Sequence, residues 1–264
     1  MSSTFHYTVE ELIPFIDWVY FFHAWQTKAD STEGMKLKAD ALQTLQSLSS
    51  TIGASACYRE LKVVSKDDDL IVYLEMQPCG SCPSRTLRIP FLRQQSPSLS
   101  TDDGGYTLCL ADFVSPFGDV IGFFATTSSL QADDQADPYL KLLYDTLASR
   151  LAEAAAEKLD HDIHGIPQGE SLIGIRPAVG YPSIPDLSVI FLLDQLIDMQ
   201  SIGITLTDHG AMRPQSSVAG LIIPHPFARY FSVGTITQEQ FIDYAHRRGF
   251  TPDEMRPFLR SVLP

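Results

Sequence analysis

Apolar positions recur along this chain with two periods, and the switches between them mark its elements. Leu37, Ala41, Leu45 and Leu48 stand at helical spacing with Lys and Gln on the other face, predicting a helix from about Met35 to Ser49. Leu140, Leu143, Leu147, Leu151, Ala155 and Leu159 form a longer stripe, which predicts a helix over residues 136 to 160. Near the start, Thr8 as N-cap with Glu10 and Glu11 in the first turn opens a helix over 8 to 26, bent or interrupted near Pro14. From Ala54 the pattern turns strand-like. Ala56 to Val64 and Leu70 to Met76, separated by the charged turn Lys66 to Asp69, read as a hairpin, and Thr86 to Leu92 as another strand. Ser96 to Tyr106 is a loop by composition. Thr107 to Val114 and Asp119 to Thr127 read as strands flanking Pro116-Phe-Gly118, central in an antiparallel sheet. Further strands are expected near Ile202 to Thr207, Ser217 to Ile223 and Tyr230 to Thr235. Two closing helices follow, Thr237 to Arg248 and Thr251 to Val262, with Gly249 ending the first. No internal repeat or low-complexity linker divides the chain, so the expectation is a single α+β domain over 1–264, an antiparallel sheet flanked by helices.

One stretch fits neither period. Gly174-Ile-Arg-Pro-Ala-Val-Gly-Tyr-Pro-Ser-Ile-Pro-Asp186 holds three prolines, which fix φ and remove donors, and two glycines, which open conformations closed to other residues. This spelling predicts a stiff, irregular loop. Its one strong charge is Arg176, a planar fork suited to a carboxylate, with Tyr181 shortly after. Ser183 and Asp186 read as a capping box opening an apolar helix from Leu187 to about Met199, near whose N-terminus an anion is favoured.

Composition narrows the function classes. At 264 residues with 44% hydrophobic content the chain can bury a substantial core. A net charge of -13 argues against a sequence-independent grip on nucleic acid and against anionic membranes. No apolar run is long enough to span a bilayer, the N-terminus lacks signal-peptide character, and four cysteines make no disulfide framework; a cytoplasmic protein is expected.

Other candidate chemistry is weak. Cys79-Gly-Ser-Cys82 has thioredoxin-like spacing, but prolines at 78 and 83 bracket it as a turn between strands, without the helix N-terminus that lowers a thiol pKa. His161 and His164, beside Asp160 and Asp162, have spacing that can bind a metal; histidines answering the dipole of a helix C-terminus are the preferred reading. Asp162-Ile-His164 begins the Asp-x-His-x-x-Gly pattern of cobalt-ligating corrinoid carriers, but Pro167 stands in place of its glycine. Nucleophile-elbow, P-loop and dinucleotide fingerprints are absent.

Arg176-Pro-Ala-Val-Gly-Tyr181, followed by Pro182, Pro185 and Asp186, resembles the S-adenosylmethionine-binding loop of the activation domain of cobalamin-dependent methionine synthase. Ile16-Asp-Trp18, Leu110 to Pro116, Gly122-Phe-Phe-Ala125, Leu147 to Ala154, Ile204 to Thr207 with Ala211-Met212, and His225-Pro226 before Tyr230-Phe231 extend the resemblance over nearly the whole chain. It implies that family's fold, and a loop whose Arg176, Ala178, Gly180 and Tyr181 bind S-adenosylmethionine, with Arg176 on the ligand carboxylate. Asp17 reads as a helix residue facing water or, through the resemblance, as the partner of the ligand ammonium. Glu153 and Glu170 match two acidic family positions, helix-face solvation being the other reading of Glu153. Tyr230 and Phe231 match the pair lining the nucleoside pocket, although core packing accounts for one of them.

The implied activity is reductive reactivation. A flavodoxin-like reductant supplies an electron to the cobalamin of a partner module, and the methyl of S-adenosylmethionine passes to cob(I)alamin. The metal is then the nucleophile, and the protein need only hold and aim the donor. Ile184 and Leu187-Ser-Val189 depart from the family loop, and the stretch from His164 to Glu170 is shorter than usual. The expected partner is a separately encoded cobalamin-binding methionine synthase module or another corrinoid protein. The alternatives are a sensor or docking module that binds S-adenosylmethionine without methyl transfer, and an unrelated methyltransferase, disfavoured by the missing Gly-rich turn.

Overall fold

The computed structural model describes residues 2–75, 85–96, 105–131, 137–167 and 169–263. Strand β1 (Ser3–Thr8) leads into helix α1 (Val9–Leu12), capped by the Thr8 and Glu11 side chains. The helical stretch expected over 8 to 26 is broken rather than bent. Pro14 sits in a 3-10 turn, Ile13–Phe15, and Asp17 recaps the chain to start α2 (Trp18–Ala24). Helix α3 (Thr32–Leu48) follows, with Leu37, Ala41 and Leu45 buried as the spacing predicts.

The sheet is built on a long strand, β2 (Gly53–Lys66), hairpinned to β3 (Asp69–Tyr73), which pairs with β4 (Thr86–Pro90). On the other side of β2 runs β5 (Asp119–Ser128), in register from Ala54↔Ser128 to Val63↔Asp119. Thr107 to Val114 is not a strand. Asp112 accepts from the Cys109 N–H at 2.8 Å and forks onto Arg93, folding Leu110–Phe113 into a 3-10 turn. Cys79 and Cys82 lie outside the described residues.

Helix α4 (Pro138–His164) ends at Gly165 in the left-handed conformation. At its end His161 Nδ1 meets the Ile166 carbonyl and His164 Nδ1 the Asp160 carbonyl. The helix expected over Leu187 to Met199 is interrupted: a 3-10 turn Leu187–Val189, then α5 (Ile190–Asp194), then a second 3-10 turn capped by Asp198. The strand expected at 202 to 207 shrinks to β6 (Thr205–Leu206), paired with β7 (Met212–Arg213). Strand β8 (Ser217–Ile222) pairs with β5. Residues 230 to 235 form no ladder; Val233 N–H bonds to the Pro182 carbonyl and the Gln94 amide to the Ser232 carbonyl. Helix α6 (Gln238–Arg248) starts at Thr237 and stops at Gly249 as expected, whereas α7 (Pro252–Met255) passes early into a 3-10 turn containing Pro257.

All six strands of the main sheet pair antiparallel, in the order β4-β3-β2-β5-β8 with β1 beside the start of β2. The period-two alternation sorts its side chains between two cores. Cys57, Leu61, Ile121, Phe123, Ala125, Ala219 and Leu221 face a layer completed by α5 and α6. Ala54, Ala56, Tyr58, Phe124 and Ile222 face α4 and the N-terminal helices. No helix among the described residues is long and apolar enough to cross a membrane.

Candidate functional site

The irregular loop lies along the edge of β8 that β5 leaves open. Ile175 and Ile223 exchange backbone hydrogen bonds at 3.1 and 2.9 Å, Leu221 N–H donates to the Pro177 carbonyl at 3.0 Å, and Val179 N–H to the Ala219 carbonyl at 2.9 Å. Pro177 takes a bond from β8 through its carbonyl but, having no N–H, returns none, so the ladder is one bond short there, a gap found on edge segments and not in central strands. Gly220 permits the approach: a β-carbon there would stand 2.2 Å from the Pro177 carbonyl oxygen. Gly180 turns the chain at φ +87°, and its N–H reaches back to the Ile184 carbonyl at 2.8 Å.

The far end of the loop is fixed by side chains. The expected capping box does not form. Asp186 alone caps the turn, accepting from Ser188 N–H at 2.7 Å, while the Ser183 hydroxyl donates to the Phe231 carbonyl at 2.7 Å. Ser183 is drawn away because the segment 230 to 233 runs beside the loop and offers an unpaired carbonyl.

Between the loop, β8 and helices α2 and α4 lies a cleft of about 600 Å³, lined among others by Tyr20, Glu153, Arg176, Tyr181, Tyr230 and Phe231. Its polar residues form two groups. Near its mouth, Glu153 takes a bidentate pair from Arg150, both at 3.0 Å, and accepts from the Tyr181 hydroxyl at 2.9 Å; Arg150 also lies over the Tyr20 ring. Burial, and then the Glu153 charge, push the Tyr181 phenol up to about 12.

Deeper in, Arg176 is not the lone guanidinium that the loop alone suggests. Nη1 donates to the Ala156 carbonyl at 3.1 Å and to Asp160 Oδ2, and Nη2 to Glu157 at 2.7 Å. Its backbone N–H bonds to the Tyr230 hydroxyl at 2.9 Å. Nε and the second Nη2 hydrogen have no protein acceptor among the described residues, which leaves one edge of the fork for an incoming acceptor. Asp160 is buried, and its Oδ1 has no partner among the described residues.

Arg176, Tyr181, Glu153, Ala178, Tyr230 and Phe231 are thus brought together, with Gly180 shaping the turn between them. Tyr230 is exposed and Phe231 buried, one ring out and one in, without a strand. Asp17 and Glu170 are not part of the cleft lining. Asp17 is exposed at the start of α2, its Oδ1 accepting from the Val19 and Tyr20 N–H groups at 2.8 and 3.3 Å; Glu170 is exposed after the α4 turn. Sequence reasoning missed Tyr20, Arg150, Glu157 and Asp160. The signal was there for the acids: Glu153, Glu157 and Asp160 stand at i, i+4 and i+7, one face of a helix.

The family model for the vitamin B12 dependent methionine synthase activation domain matches residues 8–249. A solved structure, the MetH reactivation domain bound to AdoHcy, is 29% identical, covers all of this chain and 90% of its own, and superposes with a TM-score of 0.85. With the family model spanning most of the chain and the fold shared over its whole length, the chain belongs to the activation-domain family of vitamin B12-dependent methionine synthase.

Proposed function

We propose that this chain, as one activation-type domain over 1–264, binds S-adenosylmethionine in the cleft and presents its methyl group to a cobalamin carried by a partner protein. The observation that carries the reading is the placement of Arg176, held by Ala156 and Glu157 through its Nη atoms, in the lining of a cleft with Glu153 and the aromatic rings of Tyr20, Tyr181 and Tyr230. A ligand that combines a carboxylate, a purine and a net positive charge fits such a lining. Arg176 takes the carboxylate, Glu153 offers its charge toward the sulfonium, and Tyr181, Tyr230 and the Phe231 backbone flank the nucleoside. Asp17, whose Oδ1 caps α2, keeps Oδ2 for the ligand ammonium, and Glu170 remains a candidate from family likeness alone. The AdoHcy held by the similar MetH reactivation domain supports the ligand class.

Cobalamin, bound on the partner, supplies the methyl acceptor; this chain orients the donor and keeps its methyl face open. The partner is a cobalamin-binding methionine synthase module or related corrinoid protein, a flavodoxin-like protein is the electron donor, and the setting is cytoplasmic. The test mixes this protein with a cob(II)alamin-loaded methionine synthase module, reductant and methyl-labelled S-adenosylmethionine. Label entering the cobalamin only when this chain is present supports reactivation. Binding of S-adenosylmethionine with no methyl transfer would leave the sensor reading, and absence of binding would remove both.

A further inference from the structure

Two carboxylates already hold the Arg176 guanidinium, and they differ in freedom. The Glu157 side chain is 37% exposed and can swing into water, whereas that of Asp160 is 2% exposed and packed in place. Asp160 Oδ1 is buried without a partner among the described residues, and Asp160 also lines a small recess of about 210 Å³ bounded among others by Glu157, Ser171, Leu172, Arg176 and Tyr230. A third carboxylate arriving at the same fork would place excess negative charge around one buried cation, which is costly in a medium of low polarisability.

We propose that Asp160 is a positioning residue that takes up a proton when a ligand carboxylate engages Arg176, so that ligand binding is coupled to proton uptake. This inference rests on the ligand class proposed above. Asp160 is the carboxylate that cannot leave, and its unpaired oxygen is the atom with room for the proton. The groups facing it are Arg176 from the loop, Glu157 and His164 from α4, Tyr7 from β1 and Tyr58 from β2. Burial already holds its carboxyl above the ordinary range, with the Arg176 charge opposing. An arginine shared with a third anion has less to offer, so the shift grows on binding.

The experiment is calorimetric titration of the whole protein with S-adenosylhomocysteine in buffers of different ionisation enthalpy, repeated across pH. Expected are net proton uptake and an affinity that tightens as pH falls, approaching about tenfold per pH unit where Asp160 is protonated in the complex and ionised in the free protein. Methylthioadenosine, which lacks the carboxylate, should bind without uptake. Asp160→Asn should lose both the uptake and the slope, while His164→Gln keeps them. Binding of S-adenosylhomocysteine with buffer-independent heat and a flat pH profile overturns the proposal and leaves the ligand assignment standing. Uptake abolished by His164→Gln and kept by Asp160→Asn also overturns it. No binding under any condition removes the ligand assignment and this inference together. The wild-type measurement decides the matter even if Asp160→Asn fails to fold.

Discussion

Arg248, in the last turn of α6, donates through Nε to Asp186 at 3.1 Å, joining a helix near the end of the chain to the residue that closes the cleft loop. Both side chains are almost fully buried. The Tyr244 hydroxyl gives Asp186 a second bond at 2.8 Å, and Arg248 also reaches the Ser188 hydroxyl at 2.8 Å. The pair fixes where the loop ends, and with it the geometry of everything from Arg176 onward.

Removing one partner of such a pair leaves the other charge buried alone. Arg248→Ala is therefore expected to destabilise the protein by about 3–5 kcal/mol, read as a lower urea midpoint. A loss below about 1 kcal/mol would mean that Asp186 finds water instead.

Gly220→Val tests whether the loop depends on the bare backbone beneath it. Because any β-carbon there collides with Pro177 and Ala178, the loop must lift from β8. S-adenosylhomocysteine affinity should fall on the order of tenfold or more, about 1.4 kcal/mol or above, with far-ultraviolet circular dichroism little changed. Unaltered affinity would show that the loop does not need this contact to bind.

The Tyr181 phenol reports on the cleft mouth. Its folded pKa, about 12, lies above the ordinary 10.0 of an unfolded chain, so between those values the native state retains a proton that the unfolded state has lost. The stability linked to keeping this phenol neutral, set by burial first and by the Glu153 charge second, is thus fully present below pH 10 and is lost as pH rises through about 12. Wild type minus Tyr181→Phe, followed by tyrosinate absorbance, should give a late transition; one centred on the ordinary tyrosine value would count against both the burial of this phenol and its Glu153 contact.

Leu147 sits fully buried in the α4 stripe against the sheet. Leu147→Ala should cost about 2–5 kcal/mol in chemical denaturation. Because it lies more than one turn from Glu153, S-adenosylhomocysteine affinity under native conditions should be retained; a parallel loss of binding would show that α4 shifts as a whole.

Much of this protein follows from the chain alone. The stripe of α3, that of α4 from Leu143 onward (Leu140 is exposed), the β2–β3 hairpin, β5, and the Thr237 and Gly249 ends of α6 were legible, because burial of one face writes a period into the residues that bear it. Three prolines and two glycines likewise specified a stiff loop, and its spelling resembled a known ligand-binding one. What only the tertiary structure decided is how charges and short segments pair. Arg176 meets Asp160 and Glu157 because the loop docks on β8 opposite α4, and Thr107 to Val114 folds into a turn because Asp112 finds Arg93. Ser183 turns from helix cap to anchor because Phe231 arrives beside it. Periodicity records which face of an element is buried, but a charge or hydroxyl takes whichever partner long-range packing brings within a few ångströms, and no local pattern encodes that choice.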